Sequence, residues 1–186
     1  MRFPVGCKAV ISRIILTVLT LLIAAGIGSA SAAPATSEQE LTLVFLYNFL
    51  KFTEWPEGTA NSELVLCVTN SATFGPELEA ISGRSAQNKS VRVKHIDFGE
   101  NPHDCQLLFL PFEEKPLRIK EWLKNTENMP ILLVSNLDDF LDMGGMIILI
   151  DDNNRLQFEV NLDKVKRAGL KLNSQLLKIA RDVRGK

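Results

Sequence analysis

The two histidines are the side chains best suited to acid–base or metal chemistry, and their spacing favours neither use. His95 and His103 lack the short spacing of a metal-binding pair. Asp104 follows His103 directly, but neighbouring residues on an extended chain point in opposite directions, so this pair does not indicate a Ser–His–Asp triad. We therefore predict no metal, no cofactor and no catalytic residue, and interpret the chain as a non-enzyme.

The acidic clusters and a glycine pair have simpler explanations than ligand binding. None of the clusters has the spacing of a calcium-binding helix–loop–helix, and turns recruit Asp for backbone hydrogen bonds. Gly144-Gly145 lacks the glycine pattern of a phosphate loop and is interpreted as a tight turn. The aspartates interpreted as caps and turn residues are Asp138, Asp139, Asp142, Asp151 and Asp152.

The overall charge argues against nucleic-acid binding. The chain has 21 Lys and Arg against 22 Asp and Glu, a formal net charge of −1, so no general basic field exists to hold a phosphate backbone. Its 186 residues are a length for one domain, and a composition that is 46% hydrophobic and 23% charged is globular rather than disordered.

The first residues have the three-part pattern of a secretory signal peptide. Residues 14–27 are uncharged and apolar, and Ala30-Ser31-Ala32 provides the small residues that precede a cleavage site. We predict cleavage after Ala32, which leaves a periplasmic domain of residues 33–186 that does not insert into the membrane. An uncleaved anchor is the alternative, although the apolar stretch is shorter than the roughly 20 residues that span a bilayer. The positively charged residues that open the signal-peptide pattern are Arg2, Lys8 and Arg13.

Two cysteines, Cys67 and Cys105, remain after the predicted cleavage, because Cys7 leaves with the signal peptide. An even number of cysteines in an oxidising compartment favours a disulfide bond between them. The alternative is a pair of buried thiols, since both cysteines lie in apolar runs of strand character.

Apolar runs and helical periodicities predict one α/β domain, with a mixed sheet of about six strands flanked by helices. Asp151-Asp152-Asn153-Asn154 has the composition of a turn, so the strands on either side of it should form an antiparallel hairpin. The predicted apolar face of the first helix comprises Leu41, Val44, Phe45, Phe49 and Phe52. The predicted strands are 63–69, 91–95, 105–110, 131–134, 146–150 and 155–160, and the predicted helices are 37–52, 73–81, 116–123, 137–141 and two at the C-terminus, the last reaching Val183.

Two stretches of the chain are candidates for contact with a partner or ligand. Five aromatics lie within residues 45–56, and we expect most of them in the core but Tyr47, Trp55 or both toward a pocket or partner. Glu159 alternates with apolar residues in a predicted strand, so it faces the other side of the sheet. That side is either solvated, or it is covered and Glu159 needs a cationic partner. The nearby cations are Lys164, Lys166, Arg167 and Lys171.

Basic residues concentrate near the C-terminus of an otherwise mildly acidic domain. Such a local positive surface mainly determines which partner binds and how fast it associates. The residues predicted to make contact there are Glu159, Lys164, Arg167 and Lys171.

Six segments, taken in order, resemble the YfiR family of periplasmic proteins, and the resemblance covers about the whole chain after the predicted signal peptide. The first, fifth and last of the segments contain the candidate residues Tyr47, Trp55, Glu159 and Lys171. The segments are 47–56, Leu66-Cys67-Val68, residues 105–110, Gly144-Gly145-Met146-Ile147, Phe158-Glu159-Val160-Asn161-Leu162 and 168–174.

The resemblance implies a binding protein that represses a membrane-bound diguanylate cyclase by binding its periplasmic sensor domain, which lowers cyclic-di-GMP and biofilm formation. It also implies an α/β fold supported by a disulfide bond, a tendency to form homodimers, and ligand contacts near 158–173. The second cysteine pair of the family's well-known repressor has no counterpart within 141–148 here. The alternatives are a periplasmic small-molecule carrier or sensor, or an accessory protein of a sensor kinase or outer-membrane system.

Overall fold

The computed structural model describes residues 38–59, 62–70, 72, 74–152 and 155–185. The predicted signal peptide and its cleavage site at Ala32 lie outside these residues. Within the described part of the chain, no helix combines the length and apolar character needed to cross a membrane.

The described residues include ten strands and four α-helices. The strands are β1 (Thr53–Glu54), β2 (Glu63–Thr69), β3 (Ser85–Ala86), β4 (Lys89–Ile96), β5 (Leu107–Leu110), β6 (Leu132–Ser135), β7 (Ile147–Asp151), β8 (Leu156–Asn161), β9 (Lys171–Leu172) and β10 (Asp182–Arg184). The helices are α1 (Glu38–Phe52), α2 (Pro116–Asn125), α3 (Leu162–Arg167) and α4 (Ser174–Ile179), and Glu79–Ile81 forms a 3-10 turn.

The main sheet is mixed and has eight strands in the order β10-β8-β7-β6-β5-β2-β4-β3. Strands β4, β2, β5, β6 and β7 run parallel, β8 is antiparallel to β7, and β10 is parallel to β8. The central strands are nearly continuous apolar runs because helices and loops cover both faces of the sheet. The predicted α/β class and the β7–β8 hairpin are therefore confirmed, with eight strands in the main sheet where about six were expected.

Helix α1 packs on one face of the sheet. The rings of Phe45 and Phe49 lie 5.7 and 5.2 Å from the ring of Phe158 on β8, in edge-to-face contacts. Side chains that alternate with Phe158 face the other way, and the strand register aligns Glu159 with Ile148 on that second face. The turn segment 138–142 lines a cavity with both of these residues, so the second face is covered at β7 and β8.

The buried face of α1 differs from the predicted one. Phe49 is fully buried as expected, but Val44 is 52% exposed. The reason is that α1 is apolar around most of its circumference, so periodicity alone could not select the side that meets the sheet. The buried side chains of α1 are Thr42, Leu43, Leu46, Phe49 and Leu50.

Two short predicted helices are wrong. Residues 137–141 form consecutive turns in which Asp139 has a φ of 62°, a left-handed conformation that no α-helix contains. Within 73–81, the described residues form turns and the 3-10 turn that ends at Ile81. Local spacing alone does not distinguish a short helix from consecutive turns, because most of the stability of a helix in a protein comes from tertiary packing.

The last predicted helix also ends early. Helix α4 stops at Ile179, because Ala180 adopts an extended conformation with φ −65° and ψ 140°. The backbone N–H of Arg181 then donates to the carbonyl of Phe158 at 2.8 Å, and residues 182–184 continue as β10 beside β8. Val183, which the apolar spacing assigned to a helix face, therefore lies in the edge strand of the main sheet.

Cys67 and Cys105 form a disulfide bond, with their Cα atoms 5.7 Å apart. Both residues are buried, at 0% and 2% exposure. The predicted pairing is confirmed, and the bond joins β2 to the segment that enters β5.

Candidate functional site

The histidines lie at the surface and contact carboxylates. His95 Nε2 is 3.8 Å from Glu79 Oε1, and His103 Nε2 is 2.9 Å from Asp104 Oδ1. The second contact corrects the expectation that these neighbours point apart, because residues 103–104 lie in a turn rather than on an extended chain. Nowhere in the described part of the chain do three His, Cys, Asp or Glu side chains come together as a metal site would require.

The order of the parallel strands changes direction between β2 and β5, where open α/β sheets commonly bind ligands beyond the carboxyl ends of the strands. A cavity of about 220 Å³ lies there, and its lining includes Phe74, Phe109 and Phe112. Its volume is below the range of about 300–1,000 Å³ that is usual for small-molecule sites. Larger cavities lie elsewhere, including one of about 480 Å³ around Glu159, Arg181 and Arg184 and one of about 420 Å³.

The cavity of about 420 Å³ lies between α2, α3 and the turn that leads into β7. It is the better candidate because no described carboxylate pairs with its cations, whereas Glu159 pairs with both arginines of the cavity of about 480 Å³. We call the cavity of about 420 Å³ the basic groove, because two cations from α2 and two from α3 line it. The cationic residues are Lys120, Lys124, Lys164 and Arg167, and the apolar ones are Leu123, Leu133, Met143 and Met146.

The local sequence explains why these cations converge. On α2, Lys120 and Lys124 are four residues apart and lie on one side of the helix, while the buried Trp122 anchors another side. On α3, Lys164 and Arg167 are three residues apart and flank Val165, which is fully buried. Asn161 caps α3 by accepting a hydrogen bond from the Lys164 N–H at 3.2 Å.

The described residues do not neutralise the charges of the basic groove. Among the residues that the structure describes, none of the four cations forms an ion pair. Glu127 is the single carboxylate among the described lining residues. Like charges held close together repel each other, so this arrangement favours an anionic occupant.

Glu159 lies in a separate ionic cluster and is only 8% exposed. Its Oε1 accepts a hydrogen bond from Arg181 Nε at 2.9 Å and lies 2.7 Å from Arg181 Nη2, and its Oε2 lies 3.5 Å from Arg184 Nη2. Arg184 also contacts Asp142 at 2.6 Å. The face around Glu159 is therefore covered, but its partners are these arginines rather than any of the lysines or Arg167 near it in sequence. The cluster ties β10 to β8.

Replacing Glu159 with Gln is expected to lower the free energy of unfolding by about 1–3 kcal/mol, because the charge-assisted bonds to Arg181 and Arg184 are lost. Both arginines are nearly half exposed and can rehydrate, which limits the loss. Urea unfolding of Glu159→Gln, Arg181→Ala and the double variant would measure this. Strictly additive losses in that cycle would show that the two side chains do not stabilise each other.

The remaining predicted contact residues have defined positions. Lys171 lies on β9 opposite Glu54 of β1 and is exposed. The indole Nε1 of Trp55 donates to the Gln106 carbonyl at 3.1 Å, and the Tyr47 hydroxyl donates to the Ser85 carbonyl at 2.6 Å. The polar atoms of both aromatic side chains are thus used within the fold.

The structure brings most of these residues around α3, which contacts both β9 and β10. Lys164 and Arg167 share the basic groove, Lys171 lies on the neighbouring β9, and Glu159 holds β10. Tyr47 packs instead against the segment that leads into β3, with the Arg84 guanidinium 4.9 Å from its ring.

Sequence reasoning missed Lys120 and Lys124. Their four-residue spacing within the predicted helix 116–123 and its continuation was the available signal, because it places two cations on one helical side. Nothing in the sequence indicated that this side would face α3.

The YfiR/HmsC-like family matches residues 39–181, which is more than three quarters of the 186 residues. The match runs from the start of α1 to the arginine that pairs with Glu159. It therefore includes β2, β4, β5, β6 and β7, the disulfide bond and every residue named above for the basic groove. This chain belongs to the YfiR/HmsC-like family.

Proposed function

We propose that this chain is a periplasmic repressor that binds the periplasmic sensor domain of a membrane-bound diguanylate cyclase and thereby lowers cyclic-di-GMP. The observation that carries the proposal is the family match over residues 39–181. YfiR-like proteins are periplasmic regulators of diguanylate cyclase pathways and are regulatory rather than catalytic.

The proposed contact surface is centred on α3 and β9. Arg167 and Lys171 are exposed there, and neither forms an ion pair with another described residue. Unpaired surface cations attract an acidic partner and accelerate its association. Glu159 supports this surface indirectly, because it holds β10, which contacts α3. Trp55 directly follows β1, the strand paired with β9.

Charge reversal at Arg167 and Lys171 is expected to weaken binding of the sensor domain by at least about tenfold, since each change replaces attraction with repulsion. Calorimetric titration of the chain, purified from the periplasm, with the sensor domain of each membrane-bound diguanylate cyclase of the same organism would measure this. Lys115→Glu is the matched control, because Lys115 is an exposed lysine that precedes α2 and lies outside the proposed surface.

The folded state of each variant is checked by its circular dichroism and unfolding midpoint. If the wild-type chain binds none of these sensor domains, the proposed repression by direct binding is wrong. If Arg167→Glu and Lys171→Glu both retain full affinity, the contact lies elsewhere and this surface is wrong.

A further inference from the structure

We propose that the basic groove binds a small organic dianion, a phosphate ester or a dicarboxylate with an apolar body. Its anionic group is held by Lys120, Lys124, Lys164 and Arg167, and its apolar body lies on the leucines and methionines between them. The inference does not depend on the proposed cyclase partner, because it concerns the isolated chain.

The charge balance of the groove determines the charge of the ligand. Four cations face Glu127 alone among the described lining residues, so the lining has a formal charge of +3. Lys120 and Lys124 are like charges four residues apart on one helix, an arrangement that destabilises a helix unless a counter-ion is present. A dianion relieves this repulsion better than a monoanion does, and charge-assisted hydrogen bonds to phosphate or carboxylate oxygens are stronger than neutral ones.

Lys164 lies against the turn at Gly144, which lines the basic groove with it. Lys164 is half-buried, in contrast to the exposed Lys120 and Lys124. Gly144 has a φ of 103°, and a Cβ added there would lie 3.4 Å from Lys164 Nζ, so the ammonium group lies directly over this glycine. A half-buried side chain has fewer rotamers to lose when an anion binds to it than an exposed one has.

The shape and remaining lining determine the rest of the ligand. A cavity of about 420 Å³ is within the usual size range for small-molecule sites. Leu123 and Met143 are half-buried at its surface, and Leu133 and Met146 are buried beneath it. Methionine side chains adapt to different apolar shapes. An apolar body of about one ring therefore complements the groove better than a bare inorganic anion.

Phenyl phosphate is the probe that tests this inference. We expect saturable binding to the purified chain, measured by calorimetry and by chemical-shift changes at the groove. Lys124→Ala and Lys164→Ala should each weaken that binding at least about tenfold, because each removes a charge-assisted hydrogen bond. The affinity should also fall as salt is added.

Lys166→Ala is the matched control, because Lys166 is an exposed lysine on the same helix as Lys164 and does not line the groove. It should leave the affinity for phenyl phosphate unchanged. Inorganic phosphate should bind more weakly than phenyl phosphate, and phenol, which lacks the dianion, should not bind. Any of three results overturns the inference. The first is no saturable binding of phenyl phosphate, and the second is wild-type affinity for phenyl phosphate in both Lys124→Ala and Lys164→Ala. The third is inorganic phosphate that binds as tightly as phenyl phosphate.

Discussion

Replacing both Cys67 and Cys105 with serine is expected to lower the free energy of unfolding by about 2–5 kcal/mol. The disulfide bond closes a loop of 38 residues, and the chain-entropy treatment gives about 4 kcal/mol for a loop of this length. Both sulfur atoms are buried, so the serine variant also places hydroxyl groups in an apolar environment. Guanidinium unfolding of the oxidised wild type and of the double variant measures the difference.

Reductant provides the control for this experiment. It should destabilise the wild-type chain by most of the same amount and leave the double serine variant unchanged. Two free thiols in protein isolated from the periplasm without reductant would contradict the disulfide bond directly. Equal stability of the oxidised and reduced wild type would contradict its contribution to the fold.

The central strands could be predicted because their burial leaves an unambiguous pattern. The predicted strand 63–69 coincides with β2, since a strand covered on both faces reads as one continuous apolar run. The hairpin of β7 and β8 was predictable for a related reason, because turn residues separate two apolar runs there.

The edges of the fold could not be predicted in the same way. Four strands have only two or three residues each, which is too short to show an alternating apolar pattern. They are β1, β3, β9 and β10. The apolar spacing from Leu176 to Val183 fits a helix. Residues 182–184 form a strand only because they pair with β8. Tertiary pairing, rather than local propensity, decides such segments.

The candidate site was predictable only within α3. Lys164 and Arg167 are close in sequence and remain close in the fold, whereas Lys124 joins them from 40 positions away. The same holds for Glu159, whose partners Arg181 and Arg184 lie more than 20 residues further along the chain. Both arrangements depend on how strands and helices pack against each other. The spacing of residues within one segment cannot predict that packing.

Deleting the gene for this chain is expected to raise cellular cyclic-di-GMP, because loss of a repressor leaves its diguanylate cyclase active. More extracellular matrix and less swimming should accompany the rise. Restoring the full chain should return the nucleotide to its original level. A chain that lacks residues 1–32 should fail to do so, because it would stay in the cytoplasm, away from a periplasmic sensor domain.

Quantifying cyclic-di-GMP by mass spectrometry in the wild type, the deletion strain and the two complemented strains is the most direct test of the proposed repression. The account predicts a raised level in the deletion strain that only the chain with residues 1–32 corrects. An unchanged level in the deletion strain, with the chain produced in the wild type under the same conditions, would contradict it.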